Sequence, residues 1–262
     1  MADQKKYADK LKGDRVLVIG GTSGIGYGVT EACIESGCAV IVSGSSQASA
    51  DRALQKLRDA YPSAKDRISA SSCSFGDETT IEQNIASLFR EVSASGTVDH
   101  IVFTAGDAIL PTPLAEFSVD KIKRAGLVRF YAPLLVAKYA TPHLTAGPKS
   151  SFTLTSGAAL YRPHPGWALT GGYLAGLQGV MRSLALEMRP VRVNLIVPGL
   201  VDTEMWNMDE ETKQMIFEAM RAKTMTGVVG RVEDVAQSYL GVMKDWNCTG
   251  SVVDTHSGQL LM

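Results

Sequence analysis

Short runs of apolar, mostly β-branched residues recur along this chain, and longer amphipathic stretches separate them. Runs such as VLVI, AVIV and VNLIV lack the alternation of polar and apolar residues that a half-exposed strand shows. Strands of this composition are buried on both faces, which requires parallel strands with helices packed on either side. The sequence therefore predicts an α/β fold with a doubly wound parallel sheet.

The pattern predicts seven strands, each followed by a helical segment or a turn. Strands are expected at residues 15–20, 39–43, 67–73, 98–104, 150–155, 191–197 and 250–254. Helical patterns lie near residues 24–37, 48–60, 77–94, 118–145, 168–189, 209–223 and 232–243. No linker divides the chain, so residues 1–262 are expected to form a single domain. Residues 198–227 lack a strand pattern and are a candidate lid over the carboxyl ends of the strands.

Charge and composition exclude several classes of function. The chain has 26 Lys and Arg residues against 27 Asp and Glu, a net charge of −1, whereas nucleic-acid and anionic-membrane surfaces need a clustered basic field. The first residues are polar, and no apolar run approaches the roughly 18 residues that span a membrane. The four cysteines lack metal-ligand spacing. We therefore expect a soluble, cytoplasmic protein that binds a small molecule and no metal, nucleic acid or membrane.

A glycine-rich segment, Gly20 to Gly26, follows the first strand and opens the first helical pattern. Gly20 permits a tight turn, Gly24 lets the backbone approach a pyrophosphate, and Gly26 allows the helix to pack closely on the strand. The helix amino terminus then offers free N–H groups and a positive dipole end to an anion. The segment predicts a Rossmann-type dinucleotide site. Its cofactor-binding residues are expected to include Gly20, Thr22, Ser23, Gly24 and Ile25.

The end of the second strand predicts which dinucleotide binds. A carboxylate there would hold the ribose 2′-hydroxyl of NAD, but the sequence reads Ser43-Gly44-Ser45-Ser46. The hydroxyls of Ser45 and Ser46 and the nearby Arg52 can instead receive a 2′-phosphate, so NADP(H) is favoured. Arg52 is equally well explained as a solvated helix residue. The missing carboxylate is the firmer part of this argument.

Taken together, these motifs make the chain resemble the short-chain dehydrogenase/reductase family over nearly its whole length. Residues 19–26 match the family pattern TGxxxGIG except for Ile19 at the leading Thr. Thr104-Ala105-Gly106 resembles the family's NNAG segment, and residues 198–203 resemble its PG…T segment. The resemblance implies that Ala105 and Gly106 lie near the adenosine ribose. It also implies a nicotinamide segment made of Pro198, Gly199, Val201 and Thr203.

The residues at the family's catalytic positions differ from those of the family. The family's relay of Asn, Ser, Tyr and Lys aligns here with Arg129, Gly157, Thr170 and Leu174. In the family's usual reaction the Tyr protonates the carbonyl oxygen as hydride arrives, and the Lys lowers the Tyr pKa. Because general acid catalysis is worth about 10²–10⁴-fold, a chain without this relay needs another way to activate a hydride acceptor.

Three explanations stay open. The substrate is already activated, as an iminium cation is, so that hydride addition needs no proton donor. Alternatively, new donors have been recruited, with Arg129 pointing into the cleft, His164 as acid or base, and Ser156 as a weaker candidate. In the third explanation, redox chemistry has been lost, and a pocket made rigid by the bound cofactor holds the substrate in the conformation that a non-redox step requires. Arg129 is also compatible with an ion pair across a subunit interface, and His164 with an ordinary loop position.

The chain also resembles a divergent fungal branch of the family that acts in secondary metabolism, including bifunctional reductase/Diels–Alderases of indole alkaloid pathways. In that branch an Arg at the Arg129 position and an Asp in a P-x-P loop are implicated; the loop residue here is His164. We predict an NADP(H)-dependent oxidoreductase that reduces an activated C=N or C=O bond of a natural product, with a non-redox cyclase or isomerase as the alternative. Substrate contacts are expected from Trp167, Thr170, Met205 and Trp206. The resemblance implies a homodimer or homotetramer.

Overall fold

Seven parallel strands form one sheet in a computed structural model that describes residues 4–109, 111–206 and 208–261. The strands are β1 Arg15–Ile19, β2 Ala39–Gly44, β3 Ile68–Ser72, β4 His100–Phe103, β5 Ser151–Thr155, β6 Arg192–Pro198 and β7 Val252–Thr255. Their order across the sheet is β3-β2-β1-β4-β5-β6-β7. In the central strand, Val18 pairs with Val42 on one side and Val102 on the other. The predicted doubly wound, seven-stranded parallel sheet is confirmed.

Helices cover both faces of the sheet, as the continuous apolar strands require. The α-helices are α1 Gly24–Glu35, α2 Gln47–Ala60, α3 Ile81–Ser93, α4 Val119–Gly126, α5 Ala132–Ala140, α6 Ala168–Glu187, α7 Glu210–Arg221 and α8 Val232–Lys244. Alternate residues of β1 point to opposite layers. Val16 and Val18 pack in the cluster that contains buried residues of α1, α2 and α8, whereas Leu17 and Ile19 pack in the cluster with α3, α5 and α6.

The helix predicted over residues 118–145 is not continuous. It is divided into α4, a π-helical turn at Leu127–Tyr131, and α5, and a short 3-10 turn follows. Pro133 has no N–H to donate to the carbonyl of Arg129, so the regular α-helical hydrogen bonds are interrupted there. The N–H of Ala132 instead reaches back to the carbonyl of Leu127. A single π turn of this kind re-aims the side chains that it carries.

The chain between β6 and α8 forms no strand in its described part, as predicted, and carries α7. We call residues 199–227 the lid segment; Asn207, which belongs to it, lies outside the described residues. An isolated bridge between Val201 and Gly230 joins the start of the segment to the chain just beyond its end. Lys213 on α7 forms an ion pair with Asp202, 2.7 Å apart, which holds the helix against the chain that leaves β6.

A buried polar cluster joins the amino ends of the central strands. His100 lies between Ser151 and Asp14, with its Nδ1 2.8 Å from Ser151 Oγ and its Nε2 3.3 Å from Asp14 Oδ2. Lys149 Nζ lies 2.5 Å from Asp14 Oδ1. Burial alone would raise the pKa of Asp14, but hydrogen bonds from His100 and Lys149 outweigh it and hold that pKa below its usual value. This cluster lies at the edge of the sheet opposite the site described below.

Every helix that the structure describes is too short or too polar to cross a membrane. The described residues also contain no group of three or more His, Cys, Asp and Glu side chains that could hold a metal ion. The cysteines are free thiols, and three of them, Cys33, Cys38 and Cys73, are buried.

Candidate active site

A cavity of about 860 Å³ opens at the carboxyl ends of the strands. The last residues of four strands, Ile19, Gly44, Thr155 and Pro198, line it. This is the edge of an open parallel sheet at which ligands bind.

The glycine-rich segment has the geometry of a dinucleotide cradle. Gly20 has a φ of +87°, and its N–H donates to the carbonyl of Ser43 at 2.9 Å. A Cβ at Gly20 would lie 2.5 Å from the backbone nitrogen of Ala105, and one at Gly26 would overlap the carbonyl of Gly20. The backbone of this segment is therefore packed as tightly as glycine allows, and the first turn of α1 carries no acidic residue of its own. These features fit the pyrophosphate of a bound dinucleotide.

The remaining predicted cofactor residues divide into two groups. The following line the cavity: Thr22, Ser23, Gly24, Ile25, Ser45, Ala105, Gly106, Pro198, Gly199, Val201 and Thr203. Ser46 and Arg52 do not belong to the described lining. The Ser46 hydroxyl accepts the N–H of Ser49 at 3.3 Å and caps α2, and Arg52 is exposed on that helix. Of the three side chains proposed for a 2′-phosphate, only Ser45 thus reaches the cavity in this structure.

Arg129 enters the cavity from the π-helical turn, as predicted. Its Nε lies 3.0 Å from Oδ1 of Asp107, and its Nη2 donates to the backbone carbonyl of Asp107. The guanidinium also packs against Gly106, where a Cβ would lie 2.8 Å from Nη1. Burial lowers the pKa of Arg129 and the Asp107 carboxylate partly restores it, so the guanidinium stays charged. The structure therefore places an oriented cation in the cavity.

His164 and Trp167 meet at the outer wall of the cavity. Their ring centroids are 5.0 Å apart, and the rings are nearly perpendicular at 71°. Both residues line the cavity, and His164 is exposed. This edge-to-face contact favours one orientation of the indole without taking the imidazole out of solvent.

The lid segment supplies another part of the lining. Met205 and Trp206 line the cavity, together with Ile216 and Met220 of α7. Trp206 Nε1 donates to the carbonyl of Val201 at 2.9 Å, which fixes the ring, whereas Met205 is 47% exposed. Trp167, Met205 and Trp206, for which substrate contacts were predicted, all line the cavity.

Comparison with known proteins identifies the fold family. A family model described as an SDR-like Rossmann domain matches residues 7–262. The short-chain dehydrogenase/reductase fsr5 of Gibberella fujikuroi is 42% identical over 264 residues, which cover 100% of both chains. The solved MalC reductase/Diels–Alderase of Malbranchea aurantiaca has a TM-score of 0.92 at 40% identity and covers 97% of this chain and 99% of its own.

The chain belongs to the short-chain dehydrogenase/reductase family. An NADPH-bound short-chain oxidoreductase of Pseudomonas aeruginosa PAO1 that contains an atypical catalytic centre is similar as well. It has a TM-score of 0.83 at 25% identity and covers 94% of this chain and 96% of its own.

The positions that the sequence predicts to align with the family's relay hold Arg129, Gly157, Thr170 and Leu174. Gly157 and Leu174 line the cavity, whereas Thr170, for which a substrate contact was predicted, is buried and does not belong to the described lining. The hydroxyl of Ser156, which does line the cavity, donates to the carbonyl of Leu174 at 2.9 Å. That hydrogen bond commits the proton of Ser156 to the backbone of α6 rather than to a substrate.

Other tyrosines do not replace the relay. Tyr173 donates to the carbonyl of Ile122 at 3.0 Å, and burial together with the hydrogen bond between Tyr173 and Tyr131 raises the pKa of Tyr173 to about 12. A Tyr-x-x-x-Lys spacing does occur in the chain, at Tyr61 and Lys65, but it lies in the turn between α2 and β3. Neither residue lines the described cavity.

The ionisable side chains of the described lining are those of Cys73, Asp107, Arg129, His164 and Glu204. Neither a tyrosine nor a lysine occurs in that set. Burial raises the pKa of Cys73 to about 12, so its thiol is protonated at neutral pH.

Sequence reasoning missed two functional candidates, Asp107 and Glu204. Asp107 directly follows the Ala105-Gly106 motif, so its position in the cavity lining could have been inferred from that motif. Glu204 follows Thr203 and accepts the N–H of Gly24 at 3.0 Å, a contact across 180 residues that no local pattern shows.

Proposed function

We propose that this chain is an NADP(H)-dependent reductase that acts on an activated C=N or C=O bond of a natural product without a Ser-Tyr-Lys relay. One observation carries the proposal: the described lining holds Arg129, oriented by Asp107, but neither a tyrosine nor a lysine. A cavity of this kind binds and polarises an acceptor that is already electron-poor.

NADP(H) is the cofactor of this site. The left-handed Gly20, the close approach of the chain at Ala105 and the amino terminus of α1 fit the dinucleotide. Ser45 stands where an NAD-binding carboxylate would repel a 2′-phosphate. When bound, NADPH supplies a hydride. The segment from Pro198 to Thr203 would hold the nicotinamide end, as the family resemblance implies.

Arg129 has donors to spare for a substrate. A guanidinium carries five N–H groups, and Asp107 occupies two nitrogens, Nε and Nη2. The others can bind a carbonyl oxygen and stabilise negative charge as it develops, an effect worth about 10²–10³-fold per donor. Because arginine does not release its proton in proteins, this role is polarisation rather than proton transfer. Asp107 balances the charge, so the cavity also admits an iminium cation.

His164 is the residue proposed to donate a proton to the alkoxide that hydride addition to a carbonyl leaves. An imidazole can act as an acid, and this ring lines the cavity while remaining exposed to solvent. For an iminium substrate no such step is needed, since hydride addition gives a neutral amine.

A non-redox cyclisation is the second candidate. It is favoured by the TM-score of 0.92 with MalC, a protein described as both reductase and Diels–Alderase. The apolar lining residues Trp167, Trp206 and Met220 can hold an apolar substrate in a bent conformation near the charged Arg129.

The experiment uses the purified protein, NADPH and a panel of cyclic imines, iminium salts and aldehydes. Loss of NADPH absorbance in step with reduced product supports the reductase, and Arg129→Ala should lower that rate about 10²-fold or more. The matched control is Arg124→Ala, which removes an exposed arginine from the last turn of the neighbouring α4. Product that forms equally well with NADP⁺ supports the cyclase instead. A panel without any product in either case contradicts the reductase proposal.

We also propose that the protein assembles as a homodimer or homotetramer through α5 and α6. Leu134 and Leu186 are exposed on these helices, at 37% and 71%, and a Cβ at Gly172 or Gly179 would meet nothing within 4 Å. Light scattering would show a monomer if this is wrong.

The cytoplasmic location of the protein stays a prediction.

A further inference from the structure

The lid segment places a carboxylate on the phosphate loop. Oε2 of Glu204 accepts the backbone N–H of Gly24, the first residue of α1, at 3.0 Å. Because α1 has no acidic residue in its own first turn, Glu204 supplies an anion to this helix terminus from 180 residues away. The neighbouring Thr203 is equally close, since a Cβ at Gly24 would lie 3.3 Å from its side chain.

The same helix terminus has to receive the cofactor. A pyrophosphate binds where free N–H groups and the positive end of the helix dipole meet. A second anion within a few ångströms repels it, because the two like charges interact in a partly desolvated cleft. Glu204 and the pyrophosphate thus require the same positive end of α1.

We propose that Glu204 is an internal competitor of the cofactor phosphates and thereby sets the affinity for NADP(H). Without cofactor, its carboxylate holds the lid segment against the phosphate loop; when the pyrophosphate binds, the carboxylate leaves the Gly24 N–H. This inference rests on the cofactor part of the proposed function and not on the reaction.

An adjoining cavity offers the displaced carboxylate a place to go. It has a volume of about 500 Å³ and shares Gly24, Thr203, Glu204 and Trp206 with the first cavity. Its charged lining residues are Glu31, Lys56, Asp202, Glu204, Glu210 and Lys213. Two of these are lysines. Lys213 binds Asp202 at 2.7 Å, and this pair and, more weakly, the charge of Glu204 raise the pKa of Lys213. A carboxylate that turns away from Gly24 therefore stays near Lys213, beside the other carboxylates that line this cavity.

The test is a fluorescence titration of NADPH into the wild type and Glu204→Gln. The amide keeps an acceptor for the Gly24 N–H but removes the charge, so the Kd for NADPH should fall roughly two- to fivefold, the range expected for one charge at a helix terminus. Glu211→Gln is the matched control: it removes an exposed carboxylate from the first turn of α7, in the same lid segment but outside both described cavities, and should leave the Kd unchanged. An unchanged or raised Kd in Glu204→Gln, or an equal decrease in Glu211→Gln, overturns the inference.

A second measurement follows the lid segment itself. In hydrogen exchange without cofactor, Glu204→Ala should exchange faster than wild type in the peptide of residues 199–206, because its link to α1 is gone. With saturating NADPH the two proteins should exchange alike, since the wild-type contact is then already broken. Equal exchange without cofactor contradicts the proposal. A wild type that does not bind NADPH would instead refute the cofactor assignment, so the two failures are distinguishable.

Discussion

Nε of Arg129 lies 3.0 Å from Oδ1 of Asp107, and Nη2 of the same guanidinium donates to the backbone carbonyl of Asp107. The two residues belong to different elements: Asp107 follows β4, and Arg129 lies in the π-helical turn. Two nitrogens bound to one residue fix the plane of the guanidinium as well as its position. Asp107 therefore decides which N–H groups Arg129 presents to a substrate.

Replacing Asp107 by Asn should loosen this orientation without disturbing cofactor binding. We expect kcat/KM, for whichever panel substrate is turned over, to fall by up to about 10²-fold, the scale of a misplaced catalytic group. The Kd for NADPH should not change. Steady-state kinetics and NADPH titration measure the two quantities, with Asp120→Asn on the first turn of α4 as control. Wild-type kcat/KM in the Asp107 variant would contradict the positioning role.

Tyr173 supports the turn that carries Arg129, and Tyr173→Phe should show it. The phenol bonds the carbonyl of Ile122 and lies 3.2 Å from the hydroxyl of Tyr131, and a Cβ at Gly126 would lie 2.5 Å from the ring. Loss of the hydroxyl should lower the free energy of unfolding by about 1 kcal/mol.

Turnover by Tyr173→Phe should also fall, while the Kd for NADPH stays constant. The control is Tyr139→Phe, whose hydroxyl binds Glu82 on α3. If both variants lose stability but neither loses turnover, Tyr173 does not position Arg129.

Gly13 and Gly20 have similar backbone angles, so alanine variants of the two distinguish the cost of backbone strain from the loss of cofactor binding. Gly20 and Gly13 have φ values of +87° and +85°, but only Gly20 is crowded, whereas a Cβ at Gly13 meets nothing within 4 Å. Gly13→Ala should cost about 1–2 kcal/mol of stability through strain alone and leave NADPH binding intact. Gly20→Ala should cost more and weaken NADPH binding by at least about tenfold. Thermal denaturation measures the loss of stability, and NADPH titration measures the affinity for the cofactor. Equal NADPH affinity in both variants would show that the cradle is not the cofactor site.

Ser45→Asp should reverse the preference between the two dinucleotides. A carboxylate at this cavity-lining position repels a 2′-phosphate and can bind a ribose 2′-hydroxyl. We expect the Kd for NADPH to rise about tenfold or more and the Kd for NADH to stay constant or fall. Arg52→Ala tests the exposed arginine separately. An unchanged NADPH affinity in this variant would show that Arg52 does not bind the 2′-phosphate. Equal losses for NADPH and NADH in Ser45→Asp would show that Ser45 does not face the 2′-position.

The buried cluster around Asp14 makes stability depend on pH. Since the folded pKa of Asp14 is lowered, its contribution is complete above the unfolded value of about 3.9 and is lost as pH falls through the folded pKa. Lys149→Met should lower the free energy of unfolding by about 1–2 kcal/mol at pH 7, because Lys149 is partly exposed and its charge is partly screened. Urea denaturation should show this difference shrinking below about pH 4. The exposed Lys65→Met is the control; a pH-independent difference would contradict the assignment.

The glycine-rich segment could be predicted because its requirements are local. Gly20 needs a left-handed backbone angle and Gly26 needs room against the first strand, and both are expressed by residue type at fixed spacing. Pro133 marks a break in the helix that the sequence also contains, but the helical periodicity of residues 118–145 predicts one continuous helix there. The π turn is evident only in the structure. Ser46 and Arg52 show the opposite case: their types suited a phosphate, but helix capping and the direction of α2 placed them outside the described cavity.

By itself, the sequence determined the layers of the fold and the edge of the sheet at which a dinucleotide binds. Apolar runs and glycine spacing act over a few residues, so their consequences do not depend on distant parts of the chain. Tertiary structure decided which partners the charged side chains meet. Asp107 reaches Arg129 across 22 residues and Glu204 reaches Gly24 across 180. Such contacts depend on the phase of each helix and the path of each loop, which long-range packing sets.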